Sequence, residues 1–545
     1  MQKHHIERHL TLLVFGAFAL RLLYLVYLCP LELAGDEAYY WVQAKHLAWS
    51  YREKGPLLAW MIALCCRIFG DHEWAVRLPV LISWLIATLS IWRLTRRVTR
   101  GDRIAEGFAV GLFMLIPAFL ANSQISTQDG VLIAMLVLLT DVGLTLADRW
   151  EDSTSMITAA ALMGFLLGLG VLLKQSTLLF VISFPIYWCF RRQKLRICSR
   201  VVLAALTGTV VFMLTITPMI LWEHAHGWPL LEHTMGHLGF AGDRAGWKPK
   251  GNRLLWILNT TGSLFGAIGP AMLLMIWASF QVTRQNRDDD HAARSHLWLL
   301  CAAWPGVLFF VLLSLIKPVV PSWPLPSTVP LVVTAACILA KHSNAYAILL
   351  DSWNQQKRTG GHAKKPRSGM IGLWHATIVY GLVALVIMSF PRLLVKLPWI
   401  GRLAEKSLLA RVSGSQTTAR QVAEALADLQ ARGQAPRWIA TSSYQRSSLL
   451  EFYLKSPHPP VTSASGLFGV RKTNFDSWPE TRLDTAESFG SDMLIVDANA
   501  ADWAQYMGFS RIEPIRPELN LYLGIDFRGP LPGAAVQRSP ERRRK

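Results

Sequence analysis

The stretch GDEAYYWVQAKHLAWSYREKGPLLAW, from Gly35 to Trp60, sets Asp36, Glu37, Glu53 and Lys54 around a run of aromatic residues. Further ionisable groups are Asp129 in STQDG, Lys174 in LLKQS and Lys317 in SLIKPVVPSWPLP. The segment LWEHAHGWPLLEHTMGHLGFAGDRAGWKP adds Glu223, His224, His226, Glu232, His233, His237, Asp243 and Arg244. A carboxylate placed against a hydroxyl accepts its proton as the oxygen attacks. A fixed cation holds a phosphate and stabilises the charge that it gains on leaving. Acids and cations gathered on one face would therefore suit transfer of a group from a lipid phosphate to a hydroxyl.

Each of these residues has a plainer reading. Asp36 and Glu37 read on spacing alone equally well as solvated loop acids. Lys174 and Lys317 have the position of lysines that snorkel from a helix end, the commoner fate of such residues. The His-rich segment has no H-E-x-x-H pattern, so a polar loop is favoured over a metal site. Arg21 lies deep in an apolar run and is expected to pair with an acid. Asp141, in LLTDVGL, is expected to be solvated near the cytoplasmic end of its segment.

The elements that must position these groups are set by a lipid solvent. Of the 545 residues, 52% are hydrophobic and 17% charged, against about a quarter charged in a soluble domain. Apolar runs near 10–29, 75–95, 104–121, 128–147, 156–173, 176–190, 200–222, 254–280, 296–316, 324–341 and 370–390 predict about eleven spans. Residues 56–70 are too short to cross and read as interfacial or re-entrant. No A-x-A site follows the first run, which is expected to be an uncleaved first helix. The net charge of +19 sits mostly in short loops, RLTRRVTRGDR (93–103), RRQKLRICSR (191–200), RQNRDDDHAAR (284–294) and QQKRTGGHAKKPR (355–367), whereas ANSQISTQDG (121–130) holds no base. That bias orients the chain with its N-terminus inside and residues after 390 outside. It also accounts for the charge without nucleic acid. Seven cysteines, none after residue 390 and none at zinc-ligand spacing, exclude a disulfide-stapled tail.

Within the external loop, Tyr40, Trp41, Ala44, Leu47, Ala48 and Tyr51 recur at helical spacing and predict an interfacial helix with aromatics at headgroup depth. Residues 391–530 read as a soluble α/β domain. SQTTARQVAEALADLQARG forms an amphipathic helix, RWIATSS and DMLIVDAN form buried strands, and SYQRSSLLEFYL forms a helix between them. Residues 531–545 are expected to be a disordered basic tail. The expected fold is thus an all-α polytopic membrane domain (1–390) with a small α/β extracytoplasmic domain.

At these residues the chain resembles the polyprenyl-phosphate-sugar glycosyltransferases of the GT-C fold. The branch is the bacterial one, related to dolichyl-phosphate-mannose protein mannosyltransferases and to lipid A aminoarabinose and galacturonic acid transferases. GDEAYYW is similar to the family's Asp-Glu motif, and REKGPLLAW to its Glu-Lys-Pro-Pro element, with Gly55 in place of the first proline. STQDG resembles a Thr/Ser-x-Asp element, and GLGVLLKQS a Gly-Leu-x-x-Leu-x-Lys-Gly element, with Gln175 in place of glycine. HGWPLLEHT, IKPVVPSWPLPS and the tail segment SSYQRSSLLEFYL resemble further signatures.

The resemblance implies Asp36 as catalytic base, with Glu37 beside it and Asp129 as a second external acid. It implies Lys54, helped by Lys174 or Lys317, as the holder of the carrier phosphate. Tyr40, Glu53, His233 and Trp323 are candidates for the substrate loops. Glu53 matches a position that ligates a metal in some relatives, but no cofactor is expected to be required. The implied partners are an undecaprenyl-phosphate sugar, a lipid or glycan acceptor such as lipid A, and the bilayer of a bacterial inner membrane, with no nucleotide. A protein O-mannosyltransferase is the alternative enzyme. A lipid flippase is the competing class, disfavoured because no duplicated halves are evident and the ionisable groups avoid the midplane.

Overall fold

A computed structural model describes residues 2–148, 153–191, 198–238, 252–284, 291–320, 322–358, 368–396, 409–455, 457–469, 471–498 and 500–531, with the single positions 398 and 401. Asp243 and Arg244, and all but the first residue of the expected basic tail, lie outside them. The chain divides into two compact units. Met1–Cys29, Arg77–Trp222 and Gly246–Pro391 form a helical unit, and Pro30–Val76, Glu223–Ala245 and Arg392–Lys545 form a mixed one.

Eight helices among the described residues are long and apolar enough to cross a membrane: Ile6–Leu28, Glu73–Thr99, Gln128–Asp148, Thr154–Leu173, Ser199–Ala225, His291–Leu313, Leu325–Gln355 and Gly369–Ser389. The protein is a multi-pass membrane protein. Three of the eleven expected spans are broken, for local reasons. Residues 254–280 form two helices, Arg253–Ile268 and Pro270–Thr283, bent by 100°. The break falls at Gly269, whose φ of +70° suits glycine and which precedes a proline. Residues 104–121 split into Arg103–Leu115 and Pro117–Ala121, with Ile116 extended before the proline. Residues 176–190 open as a 3₁₀ helix, Gln175–Ile182, before a short α-helix, Ser183–Phe190.

Close helix packing rests on small residues. Ala160, Gly164 and Gly168 recur every fourth position on one helix and face Gly208 and Thr215 of the Ser199–Ala225 helix. A Cβ at Gly164 would collide with the Gly208 carbonyl, the logic of small-xxx-small contacts in lipid.

Two expectations about charges in this unit are corrected. Arg21 donates to the Ser123 hydroxyl and lies 4.0 Å from the centroid of the Trp84 ring, so a hydroxyl and a π face take the place of an acid. Asp141 is 3% exposed and lies 3.1 Å from Arg93, with Arg97 bonded to its other oxygen. A buried carboxylate needs such pairing, and the residue is not solvated.

Among the described residues of the mixed unit there are seven strands: β1 (Trp438–Thr441), β2 (Val461–Ser463), β3 (Met493–Val496), β4 (Met507–Gly508), β5 (Arg511–Arg516), β6 (Leu521–Ile525) and β7 (Gly529–Pro530). A five-stranded sheet runs β2-β1-β3-β6-β5, with β1 parallel to β2 and β3 and the last two pairings antiparallel. Trp438, Ala440, Phe468, Met493, Ile495 and Trp503 form its core. The Tyr444–Tyr453 helix connects β1 to β2, and the Ser415–Ala431 helix buries Val422, Ala425 and Leu429, as its pattern predicts.

The aromatic helix of the first loop differs from expectation. It spans Gly35–Lys45 and stops there, leaving Leu47, Ala48 and Tyr51 outside. Tyr51 donates to the Gln43 carbonyl at 2.7 Å and Lys45 is held by Asp71 at 2.6 Å, which together close its C-terminus. Its aromatics are buried in protein: Tyr39 against Tyr444 and Phe475, and Trp41 against Phe452. The Leu57–Phe69 helix packs beside it. At 13 residues it measures about 20 Å, short of a ~30 Å hydrocarbon core.

Candidate active site

Two polar clusters, one in each unit, contain the principal candidates among the described residues. In the mixed unit the Gly35–Lys45 helix brings Asp36 to its first turn. Glu37, fully buried, accepts from the Ala34 N–H at 2.9 Å, which caps the helix and fixes the direction in which Asp36 leaves it. Asp36 Oδ1 accepts from the Tyr444 hydroxyl at 2.9 Å and from Gln445 Nε2 at 3.3 Å. Oδ2 accepts no hydrogen bond from the described residues. The Lys54 ammonium is the largest influence holding Asp36 below the usual carboxylate range, with Gln445, Tyr444 and Arg471 adding to it against the effect of burial. Asp36 is therefore an ionised carboxylate with one oxygen anchored and one open.

Lys54 donates to the Tyr40 hydroxyl at 2.9 Å. Burial alone would lower its pKa, but Asp36, Tyr40 and Tyr444 outweigh burial and raise it, so the ammonium stays charged. Glu53 is 6% exposed and has both oxygens in use: Oε2 accepts from Tyr39 at 2.7 Å and Oε1 from Arg471 Nε at 2.9 Å. The Asn474 N–H in turn donates to the Tyr39 hydroxyl at 3.0 Å, and Asn474 Oδ1 accepts from the Arg52 N–H at 2.9 Å. His233, buried in the Pro229–Leu238 helix, neighbours Glu232, which lies 3.8 Å from Arg52.

In the helical unit Asp129 is held from both sides. Lys174 Nζ donates to Oδ1 at 2.6 Å and Ser322 Oγ to Oδ2 at 3.0 Å. The same ammonium lies 5.8 Å from the Trp323 ring. A small open cleft is lined by Trp323 together with Leu132, Thr177, Phe180, Phe310 and Ser327. Lys317 is buried in the turn after the His291–Leu313 helix, in the segment that continues to Ser322 and Trp323.

Tyr39, Tyr444, Gln445, Arg471 and Ser322 were not singled out by sequence reasoning. For Tyr444 and Gln445 a usable signal existed, since they open the helix directly after a buried parallel strand, where α/β folds carry their polar groups.

The family model for dolichyl-phosphate-mannose-protein mannosyltransferases matches residues 53–222. A lipid A galacturonosyltransferase, RgtD from Rhizobium johnstonii, is 26% identical over 308 residues, which cover 56% of this chain and 60% of that relative's length. The crystal structure of ArnT from Cupriavidus metallidurans in the apo state aligns over 95% of this chain and 98% of its own, with a TM-score of 0.61 at 15% identity. ArnT bound to undecaprenyl phosphate gives the same coverage with a TM-score of 0.59, also at 15% identity.

The chain has the GT-C fold.

On this GT-C scaffold the residues present do not fit a metal at Glu53. A cation at Glu53 would have to compete with Tyr39 on one oxygen and sit against the positive Arg471 on the other. Among the described residues no three His, Cys, Asp or Glu side chains gather as ligands. Arg471 supplies at Glu53 the positive charge that a metal would bring.

Proposed function

We propose that this protein transfers a sugar from a polyprenyl phosphate to an acceptor hydroxyl at the external face of a bacterial inner membrane. One observation carries the reading: Asp36 is ionised, anchored through one oxygen, open at the other, and next to a charged Lys54. The likeness to a lipid A galacturonosyltransferase and to a structure that binds undecaprenyl phosphate supports the substrate class. The acceptor favoured by the first likeness is lipid A or a related envelope glycan.

The chemistry is a single displacement. Asp36 Oδ2 takes the acceptor proton while the hydroxyl oxygen bonds to the anomeric carbon from the face opposite the phosphate. The bond from that carbon to the phosphate oxygen breaks, the anomeric centre inverts, and the polyprenyl phosphate departs as an anion beside Lys54. The donor is already activated, so no nucleotide is consumed. Asp129 has both oxygens occupied and serves as the counter-ion that fixes Lys174, while Glu37 acts as a helix cap. Asp36 alone keeps the role of base.

The test is reconstitution of the purified protein with a panel of radiolabelled undecaprenyl-phosphate sugars and with lipid A as acceptor. Asp36→Asn, inserted normally, should lose roughly 10²–10⁴-fold in turnover, the usual worth of a general base. Wild-type turnover by that variant would overturn the reading. The matched family description keeps protein O-mannosylation as a second reading. Label appearing in secreted protein and not in lipid would select it.

A further inference from the structure

The sheet of the mixed unit has a topological switch point. From β1 the chain passes through the Tyr444–Tyr453 helix to β2 on one side, then crosses to β3 on the other, all three strands being parallel. In open α/β sheets the crevice beyond the carboxyl ends of such strands is where ligands bind. Here that edge is occupied by the chain itself. Tyr444 and Gln445, just beyond β1, hold Asp36. Arg471 and Asn474, beyond β2, hold Glu53 and Tyr39. Asp497, beyond β3, accepts from the Ser442 N–H at 3.1 Å and the Trp503 indole at 3.2 Å, which fixes the loop that leads into Tyr444.

We propose that the α/β sheet has given its ligand edge to the first-loop segment, and that Tyr444, Gln445 and Arg471 are positioning residues for the catalytic loop. This inference rests on the reading of Asp36 as base. Tyr444 and Gln445 spend the lone pairs of Oδ1, so that only Oδ2 can meet the acceptor. Arg471 neutralises Glu53, which is adjacent in sequence to Lys54, and its guanidinium lies 5.1 Å from the Tyr444 ring, so the two supports brace each other. The tail unit is then part of the catalytic apparatus, and acceptor recognition is not a separate task of its sheet edge.

The groups facing Asp36 set the pH dependence. They are Lys54 from the loop, Tyr444 and Gln445 from the helix after β1, and Arg471 from the segment after β2. The thiols of the neighbouring Leu57–Phe69 helix belong to its other end, where Cys66 meets Asp71 and Lys45. Removing a donor to the ionised form raises a carboxyl's pKa. Activity of a base that must be deprotonated then fails at a higher pH than before.

The experiment measures turnover of the undecaprenyl-phosphate sugar accepted by the wild type, from about pH 2.5 to pH 8, for Tyr444→Phe and Gln445→Ala. Binding of undecaprenyl phosphate alone is measured alongside as a folding control. The expected result is a 10- to 100-fold fall in kcat, KM within about twofold, unchanged binding of undecaprenyl phosphate, and an acid limb moved upward by about one pH unit. An unmoved acid limb in both variants overturns the proposal, whether or not kcat falls, because a merely structural role would lower activity at every pH alike. If Tyr444→Phe fails to fold, Gln445→Ala decides. An inactive Asp36→Asn with both variants behaving as wild type sinks this inference alone. A fully active Asp36→Asn sinks the reading beneath it.

Discussion

Asp476 shows what burial costs a single carboxyl near the site. It accepts from the Thr473 N–H at 2.7 Å and from the Thr473 hydroxyl at 3.1 Å, closing the turn that presents Asn474 to Tyr39. Burial nonetheless pushes its pKa up to about 6, with the nearby Glu53 charge adding to the effect. In the unfolded chain the same group ionises near ~3.9. The folded state therefore binds a proton that the unfolded state releases between those values. The stability this contributes is full below about pH 4 and is lost as pH rises through about 6. Asp476→Asn is neutral throughout and should not share that loss. Relative to wild type it should gain on the order of 1–3 kcal/mol between pH 4 and pH 7, read as a rising Tm difference in detergent. A difference that does not change with pH would show that Asp476 is ionised in the fold. At this scale the sequence revealed what lies close together in the chain. Asp36, Glu53 and Lys54 share one loop and one motif. Their partners Tyr444 and Arg471 stand some four hundred residues away, and no local pattern relates the two sets.

Among elements, the contact that matters most is the approach of the Gly35–Lys45 helix to the Tyr444–Tyr453 helix. The approach is tight at Gly35, where a Cβ would lie 2.5 Å from Gln445 Cβ and 3.3 Å from its Cα. Backbone and Cβ atoms cannot swing aside as a side-chain tip can, so Gly35→Ala must separate the helices. The separation pulls Gln445 and Tyr444 from Asp36. Overpacking of this kind costs about 1–3 kcal/mol, and a displacement near 1 Å at a reacting group costs up to ~10²-fold in rate. The variant should therefore keep its membrane insertion and lose 10- to 100-fold in turnover. Wild-type turnover would mean that the two helices can part without moving the base. Element type was legible where periodicity was sustained, as in the Ser415–Ala431 helix and strands β1 and β3. Element continuity was not. Hydropathy averages a window and passes over Pro117 and Gly269-Pro270, although both announce a break in chain geometry. The aromatic helix was misplaced for a different reason, since large apolar residues look alike whether a lipid headgroup or another helix covers them.

At the scale of the molecule, four internal bonds constrain how often the chain crosses the membrane. Arg97 bonds Asp141, near the far end of the Gln128–Asp148 helix, which predicts that residues 104–121 cross despite their break. Asp129 bonds both Lys174 and Ser322, so an even number of crossings separates each pair. Residues 175–190 and the bent pair 253–283 therefore either both cross or both return. Tyr24 donates to the Ser389 carbonyl at 3.0 Å, joining the ends of the first and last long helices on one side. The total is then eleven or nine. Both are odd, and either count predicts that residues beyond 390 lie opposite the N-terminus. The basic run RRQKLR at 191–196 separates the two counts, because it is cytoplasmic only if residues 175–190 cross. In a cysteine-free background, Gln430→Cys should react with an impermeant maleimide in intact spheroplasts. Lys194→Cys should react only after permeabilisation. Labelling at both positions in intact cells would give nine crossings and keep the external site. Protection of position 430 would place the Asp36 cluster, which shares a compact unit with that residue, on the cytoplasmic side, away from any donor presented outside.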